Sequence, residues 1–498
     1  MQTDLKQQST LIRGFLTRLL PDQPLPALDN ETIESLTEHY GLPLHLYFQA
    51  GVRSAVGRFA EVIAGEYPNA QILFAVKSNP CRGAIRTAHA LGCGCDTVSE
   101  YELRAALEVG VPNDRLICNG NAKSDTYLQS AIGVEALIAA DSFDEVRRIS
   151  VIARANGKTA RILLRLSGMA LDGLTVADQS TAASWTKFGE PIARAEEFYT
   201  FAEQVGNVQP IGISAHIGTQ ICDPAGYERL GETLLTTAEA LVTAGHRVEV
   251  IDIGGGYPLS YLSKAEWEWL TGRLRNQLSG EASRSEYVTF GGIPMGYDYL
   301  KGRPPTEKDS YRGKAYWTPY PGEKMLSHFL SFRTSDGRTT VERLRKIGAP
   351  RLLVEPGRGL FGEAGITVAK VIGTKLVEGN LMVIVDLGIV NHGTVLVSPD
   401  VYPFGVWPPR EDDVPVEAFV AGRLCFTGDM ISKVKISLNR KPEHGDLLFI
   451  GMTGAYSADH FASNSCGFPR PAKIALDETG NVEVWRKAER FEDVFCEL

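Results

Sequence analysis

The feature that most limits the fold is a repeated alternation. From about residue 45, short runs rich in branched aliphatic residues (QILFAVKS, GCGCDTVS, RLICNG, ALIAADS, RILLRLS, IGISAHIG, VEVIDIGGG and RLLVEPGRG) take turns with amphipathic stretches such as AIRTAHALG, SEYELRAALEVG and YERLGETLLTTAEALVTAG. The runs have strand length, and the stretches between them space apolar residues at helical intervals. Strand and helix in alternation build a parallel sheet. This many units predicts closure into a (β/α)8 barrel, an α/β fold, over an open sheet. Almost every run ends on polar or glycine residues, and in such barrels the carboxyl ends of the strands carry the site.

After EPGRG the text turns β-rich, with ITVAKVIGTKLV, LMVIVDLGIV, KVKISL, DLLFIGMTGAY and KIALDETGNVEVWRK. A second, mostly antiparallel β domain over 366–498 is the simplest account, with the barrel spanning 46–365. PLHLYFQ reads as a strand preceding the barrel, so residues 1–45 are expected to join the β domain. Between GGGYP and EPGR the chain is longer than a βα unit needs, which places an insertion near 275–340. Its Tyr-, Gly- and Pro-rich text suits a lid, an interface arm or solvated decoration.

A chain of 498 residues calls for two or three domains, and 44% hydrophobic with 22% charged residues is the balance of a globular protein. The net charge of -9 offers no basic face to nucleic acid or to an anionic membrane, and neither is expected as a partner. With no basic start ahead of a continuous apolar stretch and no run of membrane-spanning length, a cytoplasmic location is expected. Eight irregularly spaced cysteines without paired CxxC motifs indicate neither a zinc site nor a disulfide framework.

Lys77 closes the apolar run LFAV and precedes Ser-Asn-Pro. An amine there either carries its charge back to water or is held by the fold, and in a desolvated pocket it can form a Schiff base with a carbonyl cofactor. Downstream, Gly254, Gly255 and Gly256 follow VEVIDI, where residues without side chains can turn backbone N–H groups toward an anion or simply make a tight turn. Gly357 and Arg358 of EPGRG, with Thr219, suit a phosphate. His216 falls on a strand end, and Glu355 is a buried carboxylate in need of a cation. Taken together these pieces describe pyridoxal 5′-phosphate (PLP): an aldehyde for Lys77, a ring for His216 to stack on, a ring nitrogen for Glu355 and a phosphate for the rest.

The motifs FAVKSN, CDTVSEYEL, NGNAKS, TKFG, HIGTQI, DIGGGYP, EPGRG, VDLGI, CFTGD and GAY…ASN…PRPA stand in collinear order from about residue 40 to the end. In them the chain resembles the fold-type III PLP-dependent decarboxylases, the group of diaminopimelate decarboxylase and eukaryotic-type ornithine decarboxylase, a barrel of the alanine racemase kind with a β domain. The resemblance implies that Lys77 is the Schiff-base lysine, Asp96 its polar support, His216 the stacking ring and Glu355 the partner of the ring nitrogen. Thr219, Gly254 to Gly256, Gly357 and Arg358 would hold the phosphate, with Tyr456 reaching the phosphate or the substrate. Cys425 would donate a proton across the interface of a homodimer, with Asp429 in the same loop. The implied reaction is loss of CO2 from an amino acid through a quinonoid intermediate, protonated from Cys425. A racemase on the same fold is the rival, but racemases of that kind set arginine at the ring nitrogen and a tyrosine opposite the lysine. A non-catalytic PLP-binding protein is usually the barrel alone.

The departures concern the substrate. In diaminopimelate decarboxylases the cysteine is followed by glutamate and in ornithine decarboxylases by aspartate; here it is Phe426. The arginine of the substrate loop is replaced by Ser398 in SPDVY, although Tyr402 remains, and Ser465 stands where the C-terminal motif usually has tyrosine. Diaminopimelate itself is therefore not the expected substrate.

Overall fold

The eight alternating runs all form strands, and they close on themselves. The computed structural model describes residues 2–21, 24, 28–171, 180–290, 315–393 and 401–495. Strand β1 (Leu44–Phe48) belongs to a separate sheet. Then β2 (Ala70–Ala75), β3 (Gly94–Thr97), β4 (Leu116–Cys118), β5 (Leu137–Ala140) and β6 (Ala160–Ser167) pair in parallel in sequence order. A two-residue β7 (Glu190–Pro191) lies beside the end of β6. The ring continues through β8 (Val208–Ser214), β9 (Val250–Asp252) and β10 (Arg351–Val354), which returns to β2. Leu73, Ile117, Leu163, Ile211, Val250 and Leu353 fill a buried cluster from strands around this ring.

Turns after the strands hand over to helices at capping serines. Ser99 accepts from the Glu102 amide, Ser124 from Tyr127 and Ser142 from Glu145, each supplying a partner that the first turn of its helix lacks. Short, fixed turns keep the strand ends in register, which is what a site assembled from several strands requires.

The barrel unit comprises 55–258 and 318–360, and a second unit comprises 1–54, 259–317 and 361–498. The excursion after GGGYP therefore groups with the β-rich part of the chain. Its apolar residues explain why: Leu259, Tyr261, Leu270, Leu274 and Tyr316 are buried in one core with Phe15 and Leu19 of the first helix and with the β strands. Residues 291–314 of the expected insertion lie outside the described residues.

In this second unit β11 (Gly365–Val377) pairs with β1, β12 (Asn380–Val385) and β16 (Leu447–Ile450). It is completed by β13 (Phe404–Trp407), β14 (Val416–Ala421), β15 (Met430–Leu438), β17 (Ala472–Leu476) and β18 (Val482–Arg486). The pairings are antiparallel except β1 with β17 and β12 with β14, so the sheet is mostly antiparallel, as the sequence predicts, with two parallel pairs. In the first of these, β1 comes from the far end of the chain and enters between β11 and β17 without a hairpin to set its direction. Among the described residues, no helix is long and apolar enough to cross a membrane.

One buried ion group anchors the loop that follows β16. Asp459 accepts from Lys473 on β17 at 2.6 Å and from Arg486 on β18 at 2.5 Å. Burial pushes the Asp459 carboxyl up, but the two cations outweigh it and hold it at about 2. A folded value below the unfolded one of about 3.9 means stability fully present above about pH 4 and lost as pH falls toward 2, worth about 2 kcal/mol. Replacing Asp459 with Asn is expected to cost about 3 kcal/mol at neutral pH, because buried Lys473 and half-buried Arg486 lose their counter-ion, and to remove that acid-dependent part. Denaturant titrations at pH 7 and between pH 4 and 2.5 check both, and a variant as stable as the parent at pH 7 would overturn the assignment.

Candidate cofactor and active site

Polar side chains gather at the carboxyl ends of the barrel strands. Lys77 follows β2 in a single helical turn, Val76–Ser78, and its Nζ donates to Asp96 Oδ2 on β3 at 2.6 Å; the lysine is about a third exposed and the aspartate fully buried. Asn119, one residue past β4, donates from Nδ2 to Asp96 Oδ1 at 2.7 Å and to Glu355 Oε1 at 2.7 Å. Glu355 itself follows β10. On β9, Asp252 accepts from Ser214 at 3.0 Å and from the Gly254 amide at 2.9 Å.

Glu355 is buried, and burial first, then the nearby Asp252 and Asp96 carboxylates, raise its pKa well above the ordinary range; Lys77 opposes this only in part. Asp252 is pushed up to about 6, chiefly by burial. The strand ends thus hold three carboxylates against one amine, an arrangement that calls for a further cation at Glu355.

His216, just past β8, accepts at Nδ1 from the Gly255 amide at 2.9 Å, so the ring proton of the neutral imidazole sits on Nε2. Burial, Lys77 and Arg165 lower its pKa well below the ordinary value and keep it uncharged. The glycines let the backbone come this close. A Cβ on Gly254, whose φ is 66°, would lie 2.6 Å from His216 Nδ1, and one on Gly255 would lie 2.5 Å from the Glu355 carbonyl oxygen. Arg358 is buried and its guanidinium lies 3.4 Å from Thr219 Oγ1. Gly357 packs on the end of β2, where a Cβ would meet Ser78 at 2.8 Å.

Lys77, Asp96, His216, Thr219, Gly254 to Gly256, Glu355, Gly357 and Arg358 are therefore brought to one end of one barrel. Asn119, Asp252 and Arg165 belong with them and were missing from the residues singled out in the sequence. Asn119 and Asp252 stand inside NGNAKS and DIGGG, and the available signal was position: a polar residue ending an apolar strand. Arg165, in RILLRLS, lies 4.4 Å from the centre of the Phe188 ring of TKFG.

These residues fit PLP. A protonated pyridine nitrogen supplies the further cation that Glu355 calls for; Lys77 has a partly exposed amine; Arg358 and Thr219 offer donors for a phosphate; and the glycines bring the backbone of 254–256 against His216.

The β unit carries the remaining candidates. Cys425 is exposed and Phe426 is 58% exposed, on the loop joining β14 to β15. Asp429 shapes that loop: its two oxygens accept from the Ile389 amide at 2.6 Å and the Leu424 amide at 2.7 Å. Both oxygens thus tie CFTGD to VDLGI. Tyr402 is buried in the β unit's core, edge-on to Tyr261 at 5.1 Å. Ser398 lies outside the described residues. Tyr456 has φ 64°, and Met452, Phe461 and Cys466 near it are also left-handed. Such backbone costs about 1–3 kcal/mol per residue and gathers where geometry serves a function.

Residues 53–289 match the family model described as pyridoxal-dependent decarboxylase, pyridoxal binding domain. A diaminopimelate decarboxylase of Aquifex aeolicus is 27% identical over 478 residues, covering 93% of each chain. Among solved structures, diaminopimelate decarboxylase from M. jannaschii in complex with L-lysine superposes with a TM-score of 0.73 at 22% identity, covering 93% of both chains. A lysine/ornithine decarboxylase from Vibrio vulnificus complexed with putrescine gives 0.65 at 22% identity, covering 91% of this chain and all of the other.

Proposed function

We propose, for a chain whose barrel is a pyridoxal-binding domain of the pyridoxal-dependent decarboxylases, that it removes the α-carboxylate of an amino acid or amino-acid derivative other than meso-diaminopimelate. The observation that carries this reading is Glu355: a buried carboxyl with neutral and acidic neighbours, placed to pair with a protonated ring nitrogen. When bound, PLP supplies an aldehyde that takes amines and a ring that withdraws electrons. A carboxylate partner keeps the ring nitrogen protonated and so favours decarboxylation over racemisation.

The chain's own residues do the rest. Lys77 presents the amine, and Asp96 at 2.6 Å holds it in place and keeps a proton acceptor at hand. Neutral His216, fixed by the Gly255 amide, offers a flat ring face without a charge that would compete for the ring's electrons. Arg358 and Thr219 hold the phosphate, together with Gly254 to Gly256 and Gly357. Cys425 is the proton donor to the α-carbon, and in the homodimer proposed here it serves the site of the other copy.

An anaerobic screen of amino acids with the PLP-loaded enzyme, reading CO2 release and product mass, tests the reading; racemised substrate without CO2 would overturn it. Cys425→Ala is expected to retain PLP and slow turnover on the order of 10² to 10⁴-fold. Mixing Cys425→Ala with Lys77→Ala subunits is expected to restore activity, since each hybrid dimer keeps one intact site. No recovery would argue against a shared site.

A further inference from the structure

Asn119 is a small neutral side chain in the middle of the charged strand ends, and its backbone is fixed by a 2.8 Å bond from its amide to the Thr97 carbonyl on β3. Its side-chain amide has two hydrogens, one given to Asp96 Oδ1 and the other to Glu355 Oε1, both at 2.7 Å. We propose that Asn119 is a positioning residue: by donating to both carboxylates at once it favours the ionised form of Glu355 and couples Glu355 to the lysine's counter-ion, Asp96.

The logic is one of donors and acceptors. An amide hydrogen stabilises the ionised form of the carboxyl that accepts it, so Asn119 favours the carboxylate of Glu355 against burial and against Asp252 and Asp96, which raise its pKa. The groups around Glu355 are Asp96 on β3, Asp252 on β9 and Lys77 after β2; His216 after β8 is neutral, and Arg165 on β6 acts on that histidine. Asp96 accepts from Lys77 at one oxygen and from Asn119 at the other, so the one amide ties the two carboxyls in a fixed orientation. The carboxylate of Glu355 is the form that a protonated ring nitrogen would pair with. This last consequence rests on the PLP reading; the bridge between the two carboxyls does not.

The test uses the full chain with and without PLP. In the PLP-free protein, infrared difference spectra titrate the carbonyl stretch of the protonated carboxylic acid, with Glu355→Gln identifying the band. Asn119→Leu removes both donors to the carboxylate form, so the pH at which the Glu355 band disappears is expected to rise by about one unit, a tenfold change in proton affinity. PLP then binds about tenfold more weakly by absorbance titration, because the carboxylate it needs is harder to form. Asn119→Ser keeps one donor hydrogen and is expected to fall between wild type and Leu; it also decides the matter if Asn119→Leu does not fold. A folded variant whose Glu355 band titrates as in wild type overturns the proposal. Failure of the wild type to bind PLP would instead overturn the cofactor reading and leave the infrared result standing.

Discussion

Borohydride reduction of the PLP-loaded protein, followed by peptide mapping, is expected to place the pyridoxyl group on Lys77. The discriminating comparison is Lys123, another lysine of the same barrel. Its Nζ is enclosed by the Gly120 carbonyl at 2.8 Å, the Ala139 carbonyl at 2.6 Å and Glu145 Oε2 at 2.8 Å, and its side chain is 1% exposed. All three hydrogens of that ammonium are held and the group is enclosed, so a carbonyl compound has no approach to it. Lys77, held by Asp96, keeps about a third of its side chain exposed. Lys77→Ala is expected to abolish the label and to lower turnover on the order of 10² to 10⁴-fold, the range for losing a positioned proton-transfer group. Label on Lys123, or full turnover without Lys77, would remove the basis of the proposed function.

The second large effect concerns the substrate's far end. Phe426 follows the candidate proton donor on the loop that Asp429 holds in shape, and its ring offers no partner to an ammonium or carboxylate. Burying such a charge without a partner costs several kcal/mol, enough for a selectivity of about a hundredfold or more. Neutral, apolar, aromatic or masked side chains are therefore expected to give the higher kcat/KM, with lysine, ornithine and meso-diaminopimelate poorer by that factor. Phe426→Glu is expected to narrow the gap for substrates with a distal ammonium. Efficient turnover of meso-diaminopimelate by the unaltered enzyme would show that Phe426 does not meet the substrate.

The barrel was legible because its strands are short, apolar and end abruptly. QILFAVKS and RLLVEPGRG announce both a strand and the polar residues at its end, and these ends converge in a closed ring. The same signal marked Lys77, Asp96, His216 and Glu355. It was weaker for Asn119 and Asp252, whose side chains bind other side chains and whose importance lies in the pairing, not in the residue type. Strands β13 and β14 are harder to read because FGVW and VEAFVA are short and their text does not alternate with helices. The placement of 259–317 depends on which core accepts Leu270 and Tyr316, and an amphipathic helix fits either. Nor does a motif announce that Asp429 braces its loop through two backbone amides or that Tyr402 packs on Tyr261.

Strand β1 lies between β11 and β17, pairing Leu44 with Val368 and Phe48 with Leu476. During synthesis it is made early, yet its last partner is made near the end. At roughly 5–20 residues per second, that is a delay of tens of seconds. Throughout that interval LHLYF, every residue of which is buried in the finished protein, is an apolar segment with both backbone edges unpaired. The barrel between them has all its strands before β11 emerges, so it can fold while the β unit waits. Slower translation lengthens the wait and chaperone capacity covers it, so soluble yield should respond to both even where the stability of the finished protein is unchanged.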